Sequence, residues 1–179
     1  MHLLGSFLYN VLPATLAFAF SGIYVIVDGW FVGQSAGDAG LAAINIAYPM
    51  VALVNAAATG IGMAGGIHIS VSIGKGDEAA QRRYTGCTLL LLLGTGLALM
   101  ALLALIYRPA LVVLGASGAS YDAAVSYMGV MLLGSVFQML GSGVVPLLRN
   151  FGGAVAAMAA MVTGFMMNVF LDWLLVFRY

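Results

Sequence analysis

Two aspartates lie inside long apolar stretches of this sequence and have the clearest potential for chemistry. Asp28 and Asp172 each precede the next polar or basic residue, Gln34 and Arg178, by six positions. A carboxylate at membrane depth costs about 2.5 kcal/mol or more, so it is usually retained for a function; the alternative is a position near a helix end that reaches interfacial water. At about 1.5 Å per helical residue, both carboxyls are expected about 9 Å from the same membrane face. Two acids at one depth predict a shared polar site.

Two further polar side chains share the helix faces of these acids. Tyr24 precedes Asp28 by four residues, and Asn168 precedes Asp172 by four. Residues four apart lie on one face of a helix, and a tyrosine hydroxyl or an asparagine amide can donate to a carboxylate. The four side chains therefore predict a site for a proton or a small cation, with Na⁺ possible at Asp28, Asn168 and Asp172. Polar pairs at this spacing also hold helices together, which is the simpler interpretation.

Composition decides the class of element that carries these residues. Hydrophobic residues make up 63% of the sequence and charged residues only 7%, whereas about a quarter of an ordinary soluble domain is charged. Six basic and six acidic residues cancel, so no charge excess indicates a nucleic-acid partner. The pattern G-x-G-x-x-G at residues 60–65 lies inside an apolar run, so it does not indicate dinucleotide binding. Residues 62–66 are instead predicted to be a face of small residues for close helix packing. No catalytic motif is present, so neither an enzyme nor a cofactor is predicted.

Five apolar runs are each long enough to cross a membrane, which takes about 20 residues in a helix. The predicted fold is an all-α integral membrane protein, a bundle of about five transmembrane helices. The predicted spans are residues 6–33, 40–73, 84–107, 122–147 and 154–177. Pro13 is predicted to bend the first span, and Pro49 and Pro146 are further positions for a bend.

The connections between the spans predict the orientation. Four basic residues follow the second and fourth spans: Lys75, Arg82, Arg83 and Arg149. Two lie on the opposite side: Arg108 and Arg178. Because basic residues favour the cytoplasmic side, the N-terminus is predicted to be cytoplasmic. In the second connection, Asp77 is the predicted N-cap of the next helix, and Glu78 is spaced to pair with Arg82.

Two residues are weaker candidates for lining a substrate cavity. Asn45 in the second span either lines a cavity or forms a hydrogen bond between helices. Met161 in the fifth span either belongs to an adaptable ligand-binding wall or is an ordinary core or lipid-facing methionine.

Short motifs in the same order along the chain resemble multidrug and toxic compound extrusion (MATE) transporters. Residues 24–33 resemble the end of the first helix of that family, and residues 41–49 resemble the start of the second. Residues 74–77 resemble the first cytoplasmic loop. Residues 149–150 and the pair Asn168 and Asp172 resemble the end of the fourth helix and the fifth helix. The resemblance covers nearly the whole chain.

The resemblance implies more than the residues themselves. Such transporters have twelve helices in two six-helix lobes, lie in the cell membrane, and expel amphipathic cationic compounds in exchange for H⁺ or Na⁺. It implies a cation site at Tyr24, Asp28, Asn168 and Asp172, and a conformational bend at Pro13. It also implies that this chain is most of an N-terminal lobe, with the sixth helix and the C-terminal lobe missing. The expected partners are the lipid bilayer, small-molecule drugs or toxins, and that missing lobe.

Two alternatives remain open. A lipid or polysaccharide flippase of a related family is the first, although its anionic cargo calls for Arg or Lys within the spans, where the sequence has none. A non-transporting structural membrane subunit is the second, although it would need no acids at depth.

Overall fold

The structure is a computed structural model that describes the backbone of residues 2–178 and the side chains of residues 7–9 and 11–176. These residues form helices joined by short turns, without any strand, so the predicted all-α class is confirmed. The helices are α1 (His2–Lys75), α2 (Glu78–Val113), α3 (Gly118–Asn150) and α4 (Ala154–Arg178). Each is long and apolar enough to cross a membrane.

A glycine divides the first helix. Gly37 has φ 59° and ψ −156°, in a region of backbone space that side chains with a Cβ rarely adopt. We call residues 2–36 arm α1a and residues 38–75 arm α1b. Each arm exceeds the length needed for one crossing. The helix continues through Pro13 and Pro49, and its break at Gly37 lies between the predicted spans 6–33 and 40–73.

The turn between α1b and α2 follows its predicted chemistry. Asp77 is the N-cap of α2, and its Oδ1 accepts a hydrogen bond from the Ala80 backbone N–H at 2.9 Å. Glu78 and Arg82 form the predicted pair at 3.9 Å, with both side chains about 85% exposed, so the pair adds little stability. Gly76 supplies the positive φ, 69°, that the turn requires.

The helices extend beyond the predicted spans, because a helix does not have to end where the lipid ends. α2 begins at Glu78 and continues through Pro109 to Val113. α3 likewise begins at Gly118 and continues through Pro146. The connection predicted between residues 107 and 122 is therefore reduced to a turn that contains Gly115, with φ 100°.

The chain divides into two compact units. Unit 1 consists of residues up to Leu41 together with those from Gly152 onward, so it contains α1a and α4. Unit 2 is Ala42–Phe151 and contains most of α1b together with α2 and α3.

Small residues bring the helices of unit 2 close together. A Cβ on Gly62 would overlap the carbonyl oxygen of Gly143 on α3, and a Cβ on Gly65 would overlap the side chain of Thr88 on α2. Without a hydrophobic driving force between helices in lipid, such close backbone contact is the main source of packing energy. The prediction of a packing face at residues 62–66 is confirmed, since a Cβ on Gly62, Gly65 or Gly66 would overlap an atom of a neighbouring helix.

Buried and half-buried polar groups in unit 2 pair with each other across helices. Asn55 Oδ1 accepts hydrogen bonds from Gln138 Nε2 at 3.3 Å and from Ser142 Oγ at 3.2 Å. Ser70 Oγ donates to Asn150 Oδ1 at 2.7 Å. Residue numbers rise together along α1b and α3 in these contacts, so the two helices are parallel, as alternate members of an up-and-down bundle must be.

Candidate functional site

The two helical segments of unit 1 meet through a pair of aromatic rings. Tyr24 on α1a and Phe165 on α4 stack with their centroids 5.1 Å apart and their planes 11° from parallel. Both residues are half-buried. Such a pair adds roughly 0.5–1.5 kcal/mol beyond the area that it buries.

The two aspartates lie near each other beyond the aromatic pair. Asp28 and Asp172 are both half-buried, and the charge of Asp28 acts on Asp172. The two acids follow the stacked rings by four residues along α1a and by seven along α4, in the same direction. The two segments are therefore parallel. A chain that crosses a membrane five times returns its first and fifth segments in one direction, although the number of crossings stays a prediction.

Two oxygen atoms on α4 are buried without a hydrogen-bond donor among the described residues. They are Asn168 Oδ1 and Asp172 Oδ2. A buried polar atom without a partner costs about 1–3 kcal/mol, and more when it is charged. Because the two residues are four apart, both oxygens lie on one face of the helix. The arrangement has acceptors in excess of donors, which suits a proton or a cation.

The donor set limits which ion it can hold. Among the described residues, no three His, Cys, Asp or Glu side chains come together as a metal cluster. Two carboxylates and one amide oxygen are hard ligands, which suit an alkali cation or a proton better than a thiolate- or imidazole-seeking metal.

The remaining predicted residues are placed as follows. Met161 is half-buried on α4 in unit 1, four residues before Phe165, whereas Asn45 is exposed on α1b in unit 2. The two do not belong to one compact unit. Pro13 is buried on α1a, about 22 Å along the helix from Asp28. Neither Asn45 nor Met161 lines the small apolar cleft of unit 2, which Met50, Val54, Leu103, Met128 and Gln138 help to form.

Phe165 was missed by reasoning from the sequence. A phenylalanine in a membrane helix is ordinary, so its type carries no signal. Its spacing from the polar residues does carry a signal. Phe165 precedes Asn168 by three residues and Tyr24 precedes Asp28 by four, so each aromatic ring shares a helix face with a polar residue of the site.

The comparison with protein families decides the membership of the chain. The family model described as MatE matches residues 13–174, which include all four predicted site residues. The chain belongs to the MatE family. The resemblance read from the short motifs is confirmed, and so is the class of multi-pass helical membrane protein.

Two MatE-related proteins illustrate the extent of the similarity. The multidrug export protein MepA of Staphylococcus saprophyticus is 26% identical over 169 residues, which are 93% of this chain and 37% of MepA. A crystal structure of a MATE protein in complex with MaD3S superposes with a TM-score of 0.89 at 25% identity, over 97% of this chain and 39% of that one. The chain therefore spans a little over a third of the length of these MatE relatives.

A third relative has a similar fold but is described as having a different function. A transporter of the MOP superfamily from Pyrococcus furiosus superposes with a TM-score of 0.85 at 26% identity, over 97% of this chain and 38% of that one. It is described as having a binding pocket of reverse polarity that suggests a different function.

Proposed function

We propose that this chain is the cation-coupling lobe of a multidrug efflux transporter that exchanges H⁺ or Na⁺ for amphipathic cationic compounds across the cell membrane. The observation that carries the proposal is the pair of buried oxygens on Asn168 and Asp172 without a donor, next to Asp28 on α1a. Membership of the MatE family supports it, as does the similarity to a protein named for multidrug export.

The proposed coupling rests on charge neutralisation. Two ionised carboxylates at low dielectric repel each other, and the repulsion between Asp28 and Asp172 opposes close packing of α1a against α4. A cation or proton that enters from outside removes this repulsion and satisfies the buried oxygens. α1a then bends near Pro13, packs more closely against α4 and lowers the affinity for drug. Because coupling is reciprocal, drug that binds from inside favours release of the ion.

The complete path needs more than the matched segment. The relatives' remaining length, which this chain does not match, would supply a C-terminal lobe as the partner across which drug is bound. Orientation follows the basic residues of the connections, with the N-terminus in the cytoplasm.

Ion binding can be tested on the chain itself. Its two tryptophans, Trp30 and Trp173, lie two residues after Asp28 and one after Asp172, so they report on the site. Tryptophan emission of the purified chain in phospholipid nanodiscs is titrated with NaCl at constant ionic strength, balanced by choline chloride, and then with acid in the absence of Na⁺. We expect a saturable change with at least one of the two ions.

The variants Asp28→Asn and Asp172→Asn should weaken that response at least about tenfold, because each removes a negative ligand. The control is Asp122→Asn, at an exposed acid near the start of α3. An unresponsive wild-type chain, or a response that both variants retain, would contradict the site.

Coupling is tested in a complete relative such as MepA with the matching substitutions, where unchanged drug efflux would refute it.

The alternatives identified from the sequence have weaker support. A flippase for anionic lipid-linked sugars needs basic side chains along its path, whereas the basic residues in the described part lie near helix ends. A structural subunit has no use for two buried acceptors without donors, because these destabilise the fold.

A further inference from the structure

The Tyr24–Phe165 stack joins the two helical segments that carry the acids, one turn before Asp28 on α1a and one turn before Asn168 on α4. We propose that Phe165 is a positioning residue of the cation site, which acts through Tyr24 to set the register of α1a against α4. The inference rests on the proposed function, since it assigns a role in the same site. Phe165 does not itself offer a ligand to the ion.

The register follows from the geometry of parallel helices. If the stacked rings mark one level, Asp28 lies about 6 Å further along the helices, Asn168 about 4.5 Å and Asp172 about 10.5 Å. Asp28 is thus at a level between Asn168 and Asp172. A slip of α1a by one turn, about 5.4 Å, would bring Asp28 level with Phe165 in one direction or with Asp172 alone in the other. Only the observed register brings all three oxygen-bearing groups together.

The small buried residues of the two segments do not specify this register. They include Ala17 on α1a and Ala157 on α4, both fully buried. A one-turn slip exchanges one small residue for another at little cost, because small side chains present a nearly smooth surface. The ring pair is different, since its planes are within 11° of parallel and a slip abolishes the overlap. In lipid, where apolar burial does not drive association, such specific packing decides between registers.

The test compares variants by ion affinity and by thermal stability. Phe165→Leu keeps apolar volume but removes the stack, whereas Phe165→Tyr keeps a ring. The matched control is Phe137→Leu on α3, where the side chain is 77% exposed. Each variant of the full chain is titrated in nanodiscs by tryptophan emission, with the ion to which the wild type responds. The melting temperature is then measured with and without that ion.

Phe165→Leu is expected to raise the apparent dissociation constant roughly 2- to 12-fold, the equilibrium equivalent of one aromatic pair. Phe165→Tyr should restore wild-type affinity. The ion-induced rise in melting temperature should shrink in Phe165→Leu and remain in Phe137→Leu. A purely structural role would instead lower the melting temperature without ion and leave the affinity of the folded fraction unchanged.

The outcomes separate the two proposals. If the wild type does not respond to either ion, the cation site itself is wrong. If the wild type responds and Phe165→Leu binds the ion with wild-type affinity, the positioning role is wrong while the site stands. If Phe165→Leu does not fold, Phe165→Tyr and Phe165→Met are compared. Weaker ion binding in Phe165→Met but not in Phe165→Tyr supports the positioning role, and equal affinity in the two variants overturns it.

Discussion

The two units of this chain treat their polar side chains in opposite ways. In unit 2, the amide of Asn55 accepts from Gln138 and Ser142, so a polar group at membrane depth is matched within the protein. In unit 1, Asn168 and Asp172 each present a buried oxygen that no described residue matches. A polar group with its hydrogen bonds satisfied stabilises one arrangement of helices, whereas a buried oxygen without a donor favours binding of a proton or cation. Unit 2 is therefore suited to packing and unit 1 to binding.

The close crossing in unit 2 gives the largest expected effect on stability. Gly62→Leu should lower the free energy of unfolding by about 3 kcal/mol or more, because the new Cβ would overlap the Gly143 carbonyl and separate the helices. The measurement is the melting temperature in nanodiscs, together with the sodium or proton titration of the folded fraction. Gly60→Leu is the control, since a Cβ there meets nothing within 4 Å. Equal losses in both variants would show that this crossing is not what holds unit 2 together.

Substitution of Asp172 in unit 1 should have the opposite effects, a gain in stability and weaker ion binding. Asp172→Asn is expected to weaken the ion response at least about tenfold, yet to stabilise the ion-free chain by about 1 kcal/mol or more, because a buried charge next to Asp28 is removed. Melting temperatures without Na⁺ provide the check, with Asp122→Asn as the control. A fall in melting temperature comparable to that of Gly62→Leu would mean that Asp172 stabilises the fold rather than binding an ion.

The smallest of these effects concerns the matched polar group of unit 2. Asn55→Ala leaves the Gln138 and Ser142 donors without their acceptor and should cost about 1 kcal/mol, within the range found for hydrogen bonds between membrane helices. Thr59→Ala, at an exposed position on the same arm, is the control. Thermal melting again measures the loss, and the ion titration should be unaffected. A weakened ion response in Asn55→Ala would contradict the assignment of packing to unit 2 and of ion binding to unit 1.

Much of the site could be predicted from local spacing. Residues four apart share a helix face in any fold, so the pairs Tyr24 and Asp28, and Asn168 and Asp172, followed from numbering alone. That the two pairs belong together was inferred from matching depth, and the structure brings them into one compact unit. Asn45 could not be placed in this way, because a lone asparagine does not indicate which neighbour its face will meet.

The break in the first helix lies where the sequence places a connection, because Gly37 is between the predicted spans 6–33 and 40–73. Proline is the usual predictor of a bend, yet the helix continues through Pro13 and Pro49 and breaks at Gly37. In a membrane helix, neighbouring groups can compensate for the hydrogen bond that proline lacks. A glycine requires no compensation when it adopts a positive φ, so it is the less costly place to break.

Composition and the length of the apolar runs by themselves determined that this protein is a helical membrane bundle, because runs of about 20 apolar residues suit helices, which satisfy their own backbone hydrogen bonds in lipid. The cost of burying carboxylates also singled out Asp28 and Asp172 by their positions within apolar runs. Only the tertiary structure decided what stands next to them: the stack of Tyr24 on Phe165, the parallel register of α1a and α4, and the two oxygens without donors. These depend on contacts between segments more than a hundred residues apart in the sequence, where helical periodicity carries no information.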